Sequence, residues 1–175
     1  MTVRTATPAD AEAIAEVAAA TFASACPPST PAEAIAAHIA TALSVDAFAG
    51  HLADPDRVLL VDDPGEGPLV GYTMLVLGDP TDAAVVAAVR IRPTAELSKI
   101  YVRHGQHGRG TAGELMTRTL DVARARGAAG VWLGTNQENE RAQRFYAKHG
   151  FERVGVKRFR LGDRSEDDYV YERAL

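Results

Sequence analysis

Tyr101-Val102-Arg103-His104-Gly105-Gln106-His107-Gly108-Arg109-Gly110-Thr111-Ala112-Gly113-Glu114-Leu115-Met116 reads as the end of a strand, a glycine-rich loop and the opening turns of a helix. The amides of a first helical turn have no intrahelical partner, and they carry the positive end of the helix dipole. Glycines let such a backbone approach a ligand closely. The junction therefore predicts a phosphate-binding site. The rest of the chain must indicate which phosphorylated molecule it takes.

Working outward, residues 96–102 form the strand that feeds the loop, and residues 109–126 an amphipathic helix ended by Gly127. Residues 131–134 are a short apolar strand. Residues 138–149 read as a helix closed by Gly150, a natural left-handed cap. Residues 151–161 and 168–172 alternate like a closing hairpin. Towards the N-terminus, residues 3–5 suit a first strand. Thr7-Pro8 then opens a helix over 8–24 with Ile14, Val17, Thr21 and Phe22 as its buried stripe. Cys26-Pro27-Pro28 breaks it. Thr30-Pro31 starts a second helix carrying Ile35, Ile39 and Leu43, and Ser44 caps a third through Leu52. Residues 57–62 and 69–77 pair as a hairpin around Asp63-Pro64-Gly65-Glu66-Gly67. Residues 79–90 permit strand or helix, and the Asp79-Pro80 start signal favours a short helix. The order predicts an α/β (α+β) mixed sheet with helices on its faces, built as one domain over 1–175.

Composition narrows the classes. Hydrophobic residues make up 46% of the chain and charged residues 24%, which suits a packed core rather than disorder. A net charge of −4 argues against nucleic acid or an anionic membrane as the main partner. Cys26 is the only cysteine, which excludes an intrachain disulfide and a cysteine-based zinc cluster. Asp10, Glu12 and Glu16 interrupt the Ala-rich run near the N-terminus, so it does not read as a signal peptide. No stretch has the length of a membrane span. A cytoplasmic protein is the expectation.

Three phosphate loops compete. Gly108-Arg109-Gly110-Thr111-Ala112-Gly113 spells the dinucleotide fingerprint, but too little chain follows it for the further βα units that such a fold needs. A nucleoside triphosphate loop requires Gly-Lys followed by Ser or Thr, a dipeptide this chain lacks. The third is a loop for the diphosphate of coenzyme A.

Here the chain resembles a family. The GNAT superfamily of acyl-CoA-dependent N-acyltransferases carries Arg or Gln, two residues, Gly, one residue, then Gly or Ala, after a strand ending in a Tyr-Val-like pair. His107-Gly108-Arg109-Gly110-Thr111-Ala112 matches it with His107 at the Arg or Gln position, where the resemblance implies a role for the backbone N–H. Asn139-Glu140-Arg141-Ala142-Gln143-Arg144-Phe145-Tyr146-Ala147-Lys148-His149-Gly150-Phe151 is similar to the family's second motif: Asn, Ala three later, Tyr seven later, then Gly-Phe. The resemblance covers residues 54–175. More narrowly, residues 96–102, Trp132-Leu133-Gly134 and the tail around Phe159 to Asp168 resemble the bacterial branch that includes polyamine (spermidine) N-acetyltransferases. It implies a mostly antiparallel twisted sheet of about six to seven strands with helices on both faces.

The resemblance also implies acetyl-CoA as co-substrate, no metal, and acetyl transfer to a primary amine in a ternary complex. Such a reaction needs a base for the amine, stabilisation of the thioester oxygen, and an acid for the leaving thiolate. Tyr146 is the candidate acid. It lies two helical turns after Asn139 on one face, and Ala142 between them leaves room for the pantetheine arm. Asn139 is expected to hydrogen-bond that arm. Glu96, where the strand begins, is the candidate base, directly or through a water. The backbone of Ile100 and Val102 is expected to pair with the pantetheine amides, and an N–H around Tyr101 or Val102 to bind the thioester oxygen. His107, Gly108, Arg109, Gly110, Thr111 and Ala112 would hold the diphosphate.

Other residues invite plainer readings. His104 and His107 have no partner at metal-ligand spacing. His38, His51 and His149 read as helix-surface or cap residues, and Trp132 as core. Arg118, Arg124 and Arg126 form a solvated helix face. Asp163, Glu166, Asp167 and Asp168 read as a solvated acidic loop before the last strand, or as an acidic wall that attracts an amine. Acceptors left open are a polyamine, an aminoglycoside-like amine, an amino acid and a protein N-terminus or lysine. An acyl-CoA sensor without turnover is the non-enzymatic alternative. A homodimer is the assembly to expect.

Overall fold

The computed structural model describes residues 2–105 and 110–175. Strand β1 (Thr2–Thr5) leads through a short 3-10 turn into α1 (Ala11–Thr21). Helices α2 (Ala32–Thr41) and α3 (Val45–Ala53) follow, then the hairpin β2 (Arg57–Asp63) and β3 (Gly71–Leu77). After α4 (Ala83–Ala88) come β4 (Thr94–Val102), α5 (Thr111–Ala125), β5 (Gly130–Asn136), α6 (Glu140–Lys148), β6 (Glu152–Leu161) and β7 (Arg164–Ala174). The strands form one seven-stranded sheet in the order β1-β2-β3-β4-β5-β7-β6. The β4–β5 pair is parallel and the others are antiparallel. The mixed, mostly antiparallel sheet with helices on both faces is the predicted class.

Both faces of the central strands are covered, which explains their near-continuous apolar runs. In β2, Val58 and Leu60 face α5, whose Leu115, Met116 and Leu120 complete that core layer. Leu59 and Val61 face the opposite way, onto Ile14 and Val17 of α1 and Phe48 of α3. Each such fully buried side chain contributes roughly 1.5–3 kcal/mol. Helix α4 forms a smaller layer through Val85 over Trp132 and Val170. Trp132 is thus core, as its sequence suggests.

Local chemistry sets the boundaries. The Ser44 hydroxyl accepts from the Ala47 amide and starts α3 as predicted. The short fourth helix forms, but its cap is Asp82, which accepts from the Ala84 and Val85 amides, rather than Asp79. The first helix is shorter than the 8–24 expected, because 3-10 turns occupy its two ends. One expectation is corrected outright. Asp163 alone sits in the final turn, whereas Glu166, Asp167 and Asp168 lie within β7. Side chains alternate along a strand, so Asp168 turns inward and is buried.

Strand β4 carries a bulge. Met74 of β3 faces Lys99, while the next residue, Leu75, faces Leu97, so Ser98 is an extra residue. On the other side, β4 pairs with β5 only from Thr94–Gly130 to Glu96–Trp132. The two strands thus part company immediately before the bulge.

Candidate active site

Where β4 and β5 separate, a cleft of about 380 Å³ opens. Its walls include Glu96, Ile100, Tyr101 and Val102 from β4, Ala112 of α5, and Asn139, Ala142 and Tyr146 at the start and along one face of α6. Ala112 of the first motif therefore shares a cleft with Asn139, Ala142 and Tyr146 of the second.

The β4 wall offers backbone groups. The Arg103 amide donates to the Val70 carbonyl, continuing the register that pairs Tyr101 with Tyr72 and Val102 with Gly71. In an antiparallel ladder, hydrogen-bonded and non-hydrogen-bonded pairs alternate. Arg103 and Tyr101 therefore point their main-chain groups at β3. Ile100 and Val102 point theirs the other way, at the edge that β5 has left. That edge can accept an extended, amide-bearing arm as an added strand.

Helix α6 supplies the opposite wall. The Asn139 side-chain oxygen Oδ1 accepts from the Ala142 amide at 3.1 Å and caps the helix. Its side-chain NH₂ is the group left for a ligand. At the other end, the Gly150 amide donates to the Ala147 carbonyl and the Phe151 amide to the Tyr146 carbonyl, with Gly150 at φ +80°. This is a Schellman closure. Tyr146 is half-buried, and its ring lies among Phe145, Phe151 and Tyr171 at centroid distances of 5.6, 6.1 and 6.3 Å. Burial pushes its phenol up, with Tyr101 and Asp168 adding to the shift. Tyr101 is pushed up to about 12, again chiefly by burial.

The bulge decides which charges enter the cleft. Glu96 and Lys99 are three apart and would face opposite ways on a regular strand. With Ser98 inserted, Lys99 sits opposite Met74 and Glu96 opposite Val76, on the same face. Burial raises the Glu96 carboxyl, and Lys157, Lys99 and Arg57 pull it back. Burial lowers Lys99, and Glu96 opposes that. Across the opening, Lys157 Nζ lies 3.9 Å from Asp168 Oδ2, with side chains only 17% and 10% exposed. Asp168 is pushed up to about 6 by burial, with Lys157 opposing. Gly134 of β5 makes space for this pair, because a Cβ there would collide with Lys157 Cε. The far wall is aromatic. His38 stacks on Phe22 at 4.5 Å and meets the edge of Phe159 at 5.9 Å.

Gly110 and Thr111 are not among the cleft-lining residues. Gly110 is the N-cap of α5 at φ +85°, a conformation that favours glycine, and Thr111 is buried. His107, Gly108 and Arg109 lie outside the described residues. Sequence reasoning gave no site role to Lys99, Lys157 or Gly134, and it placed His38 on a helix surface rather than in the cleft. Asp168 carried a signal. Read at period two, residues 164–174 put it on one face with Val170 and Glu172. Among the described residues, no group of three or more His, Cys, Asp or Glu is arranged to hold a metal ion. No single helix there is long and apolar enough to cross a membrane.

Comparison with known proteins agrees with this architecture. An uncharacterized N-acetyltransferase of Mycobacterium bovis is 46% identical over 166 residues, spanning 95% of this chain and 98% of its own. One of Mycobacterium tuberculosis matches with the same identity and coverage. Among solved structures, the PaiA N-acetyltransferase from Thermoplasma acidophilum, in complex with coenzyme A, superposes with a TM-score of 0.76 at 18% identity. It covers 100% of both chains. The family model for acetyltransferase (GNAT) matches residues 18–151, and the chain belongs to the acetyltransferase (GNAT) family.

Proposed function

We propose that this chain moves the acetyl group of acetyl-CoA directly to a small primary amine, with both substrates bound together. The observation that carries this reading is the outward-facing backbone of Ile100 and Val102 in the same cleft as Tyr146. Acetyl-CoA supplies an already activated acyl group, so the protein needs no covalent intermediate. Two of its titratable side chains suffice, and holding the substrates in line contributes much of the acceleration.

Glu96 takes a proton from the incoming ammonium, directly or through a water, leaving a neutral amine. The amine nitrogen bonds to the thioester carbonyl carbon, and the carbon–sulfur bond breaks. The amide of Val102 faces the edge where the carbonyl oxygen would gather charge, and it can donate to that oxygen. Tyr146 donates its phenolic proton to the departing sulfur. The second proton of the nitrogen restores the phenol and Glu96 passes its proton to solvent, so the products are the N-acetyl amine, the free thiol and one proton. A phenol at or above its ordinary value of 10 is protonated at neutral pH, so the donor is loaded before the reaction. Asn139 would hold the arm through its free NH₂, and Ala142 keeps that face of α6 low.

The test is release of coenzyme A thiol from acetyl-CoA in the presence of a panel of polyamines, amino acids, aminoglycosides and peptide N-termini, with calorimetry of acetyl-CoA alone in parallel. Binding together with amine-dependent thiol release supports the reading. Binding without thiol release for any amine would make the chain an acyl-CoA sensor. Absence of binding at millimolar ligand would remove coenzyme A from the cleft.

A further inference from the structure

The acceptor end of the cleft is not simply acidic. Glu96 and Asp168 face it, and so do Lys99 and Lys157. Lys157 lies at the centre of this set. It is paired with Asp168, and it is the first of the cations that pull on Glu96. The sequence alone had suggested an acidic wall, which would draw in a cation of any kind. The structure instead lines the cleft with three acids, Glu96, Glu166 and Asp168, and three cations, Lys99, Lys157 and Arg141, whose charges sum to zero when all are ionised.

Such a network discriminates by charge pattern. An incoming diamine or polyamine brings a second positive charge towards ammonium groups held in a low-dielectric wall, where like charges repel strongly. It offers Lys99 and Lys157 nothing in return for the water they lose. A molecule with an ammonium and a carboxylate a few ångströms apart matches both halves. Its ammonium lies with Glu96 and Asp168, and its carboxylate with the lysines. The 3.9 Å separation of Lys157 and Asp168 is long for an ion pair, so the lysine can turn to a ligand without first breaking a tight hydrogen bond. Gly134 contributes by absence, since any side chain there would push the Lys157 stem from its place. The aromatic wall of Phe22, His38 and Phe159 can take an apolar substituent.

We infer that the acetyl acceptor is an amino-acid-like zwitterion, its amine presented to Glu96 while Lys157 and Lys99 bind the carboxylate beside it. This rests on the transferase reading above and narrows it.

Matched acceptors that differ only in the carboxylate provide the test: amino acids with their amides and with the corresponding decarboxylated amines, and diaminobutane beside them. The unmodified protein should show kcat/KM at least about tenfold higher for the carboxylated member of each pair, as expected for one charged hydrogen-bonded contact. Replacement of Lys157 (Lys157→Met) should bring that ratio towards unity, and Lys157→Arg should restore part of it. The KM for acetyl-CoA and the melting temperature of each variant report whether the rest of the site is intact. Equal rates within pairs, or preference for the diamine, overturn the inference while leaving the transferase reading in place. Acetyl-CoA binding without acetylation of any member overturns both. A variant that folds and binds acetyl-CoA but keeps the parental ratio removes Lys157 from the role.

Discussion

The amide of Phe151 donates to the carbonyl of Tyr146 at 3.1 Å, and their rings stand 6.1 Å apart. One residue thus fixes both the backbone and one flank of the candidate acid. Gly150 makes this possible, because the closure requires its φ of +80°. Gly150→Ala should lower stability by about 1–2 kcal/mol, the cost of a left-handed alanine. It should lower kcat more than that loss alone would do at a temperature where both proteins are folded. Denaturant unfolding and steady-state kinetics at one temperature check both.

Tyr146→Phe removes the proton donor and keeps the ring contacts with Phe145, Phe151 and Tyr171. Turnover should fall by roughly 10²–10⁴, the span of general acid catalysis. Acetyl-CoA affinity measured by calorimetry should stay near the parental value. Parental turnover would leave Tyr146 a structural residue.

Glu96 must be ionised to act as a base. Burial raises its pKa, so the acid limb of kcat/KM should lie above the ordinary glutamate value of 4.5. Glu96→Gln should lose most rate between that limb and the pKa of the acceptor amine. Above the amine's pKa the nucleophile is already neutral and the deficit should shrink. A pH–rate curve parallel to the parent's throughout would take Glu96 out of the reaction.

Gly134→Ala should leave the fold intact, because the atom its Cβ would strike is the far end of a flexible lysine. Lys157 must then move relative to Asp168. The KM of the acceptor should rise while that of acetyl-CoA stays constant, a split visible in two substrate titrations.

Arg4 Nη2 meets Asp10 Oδ1 at 2.8 Å, and the Thr7 amide donates to Asp10 Oδ2 at 2.7 Å, tying β1 to the start of α1. The Arg4 guanidinium holds the Asp10 carboxyl well below its usual range, with the Thr7 hydrogen bonds adding to this. A depressed native pKa means that the contribution is complete above the ordinary value of 3.8, and is lost as pH falls below it towards the native value. Asp10→Asn should cost about 1–3 kcal/mol at neutral pH. The difference between parent and variant should narrow under acid, which urea unfolding at pH near 7 and near 3 would measure.

Helices and strands were legible where a local signal sets them. Ser44, Gly150 and the Asn139–Tyr146 spacing act within one or two turns, and the reading from them agrees with the structure. The β4 bulge depends on how β3 and β4 align, which no residue near Ser98 announces. Once it is missed, Lys99 falls on the wrong face and the charge network cannot be seen. Lys157 and Asp168 meet only because β6 pairs with β7 in a particular register. Gly134 is meaningful only once Lys157 lies across it. Mistaking Glu166 to Asp168 for a turn came from their composition, since three consecutive acids look solvated until the sheet buries one of them.

Parity, more than chemistry, governs what this protein can hold. Loss of Ser98 would only flatten the bulge, since Glu96 and Lys99 would then be two apart and still share a face, but one residue added to the regular stretch between Lys99 and Tyr101 would swap inside for outside beyond it. Tyr101 would exchange places with its neighbours, and the open edge would present the carbonyls and amides of a different set of residues. A lineage can alter many side chains along this strand and keep its open edge, but it cannot lengthen the stretch from Lys99 to Val102 by one.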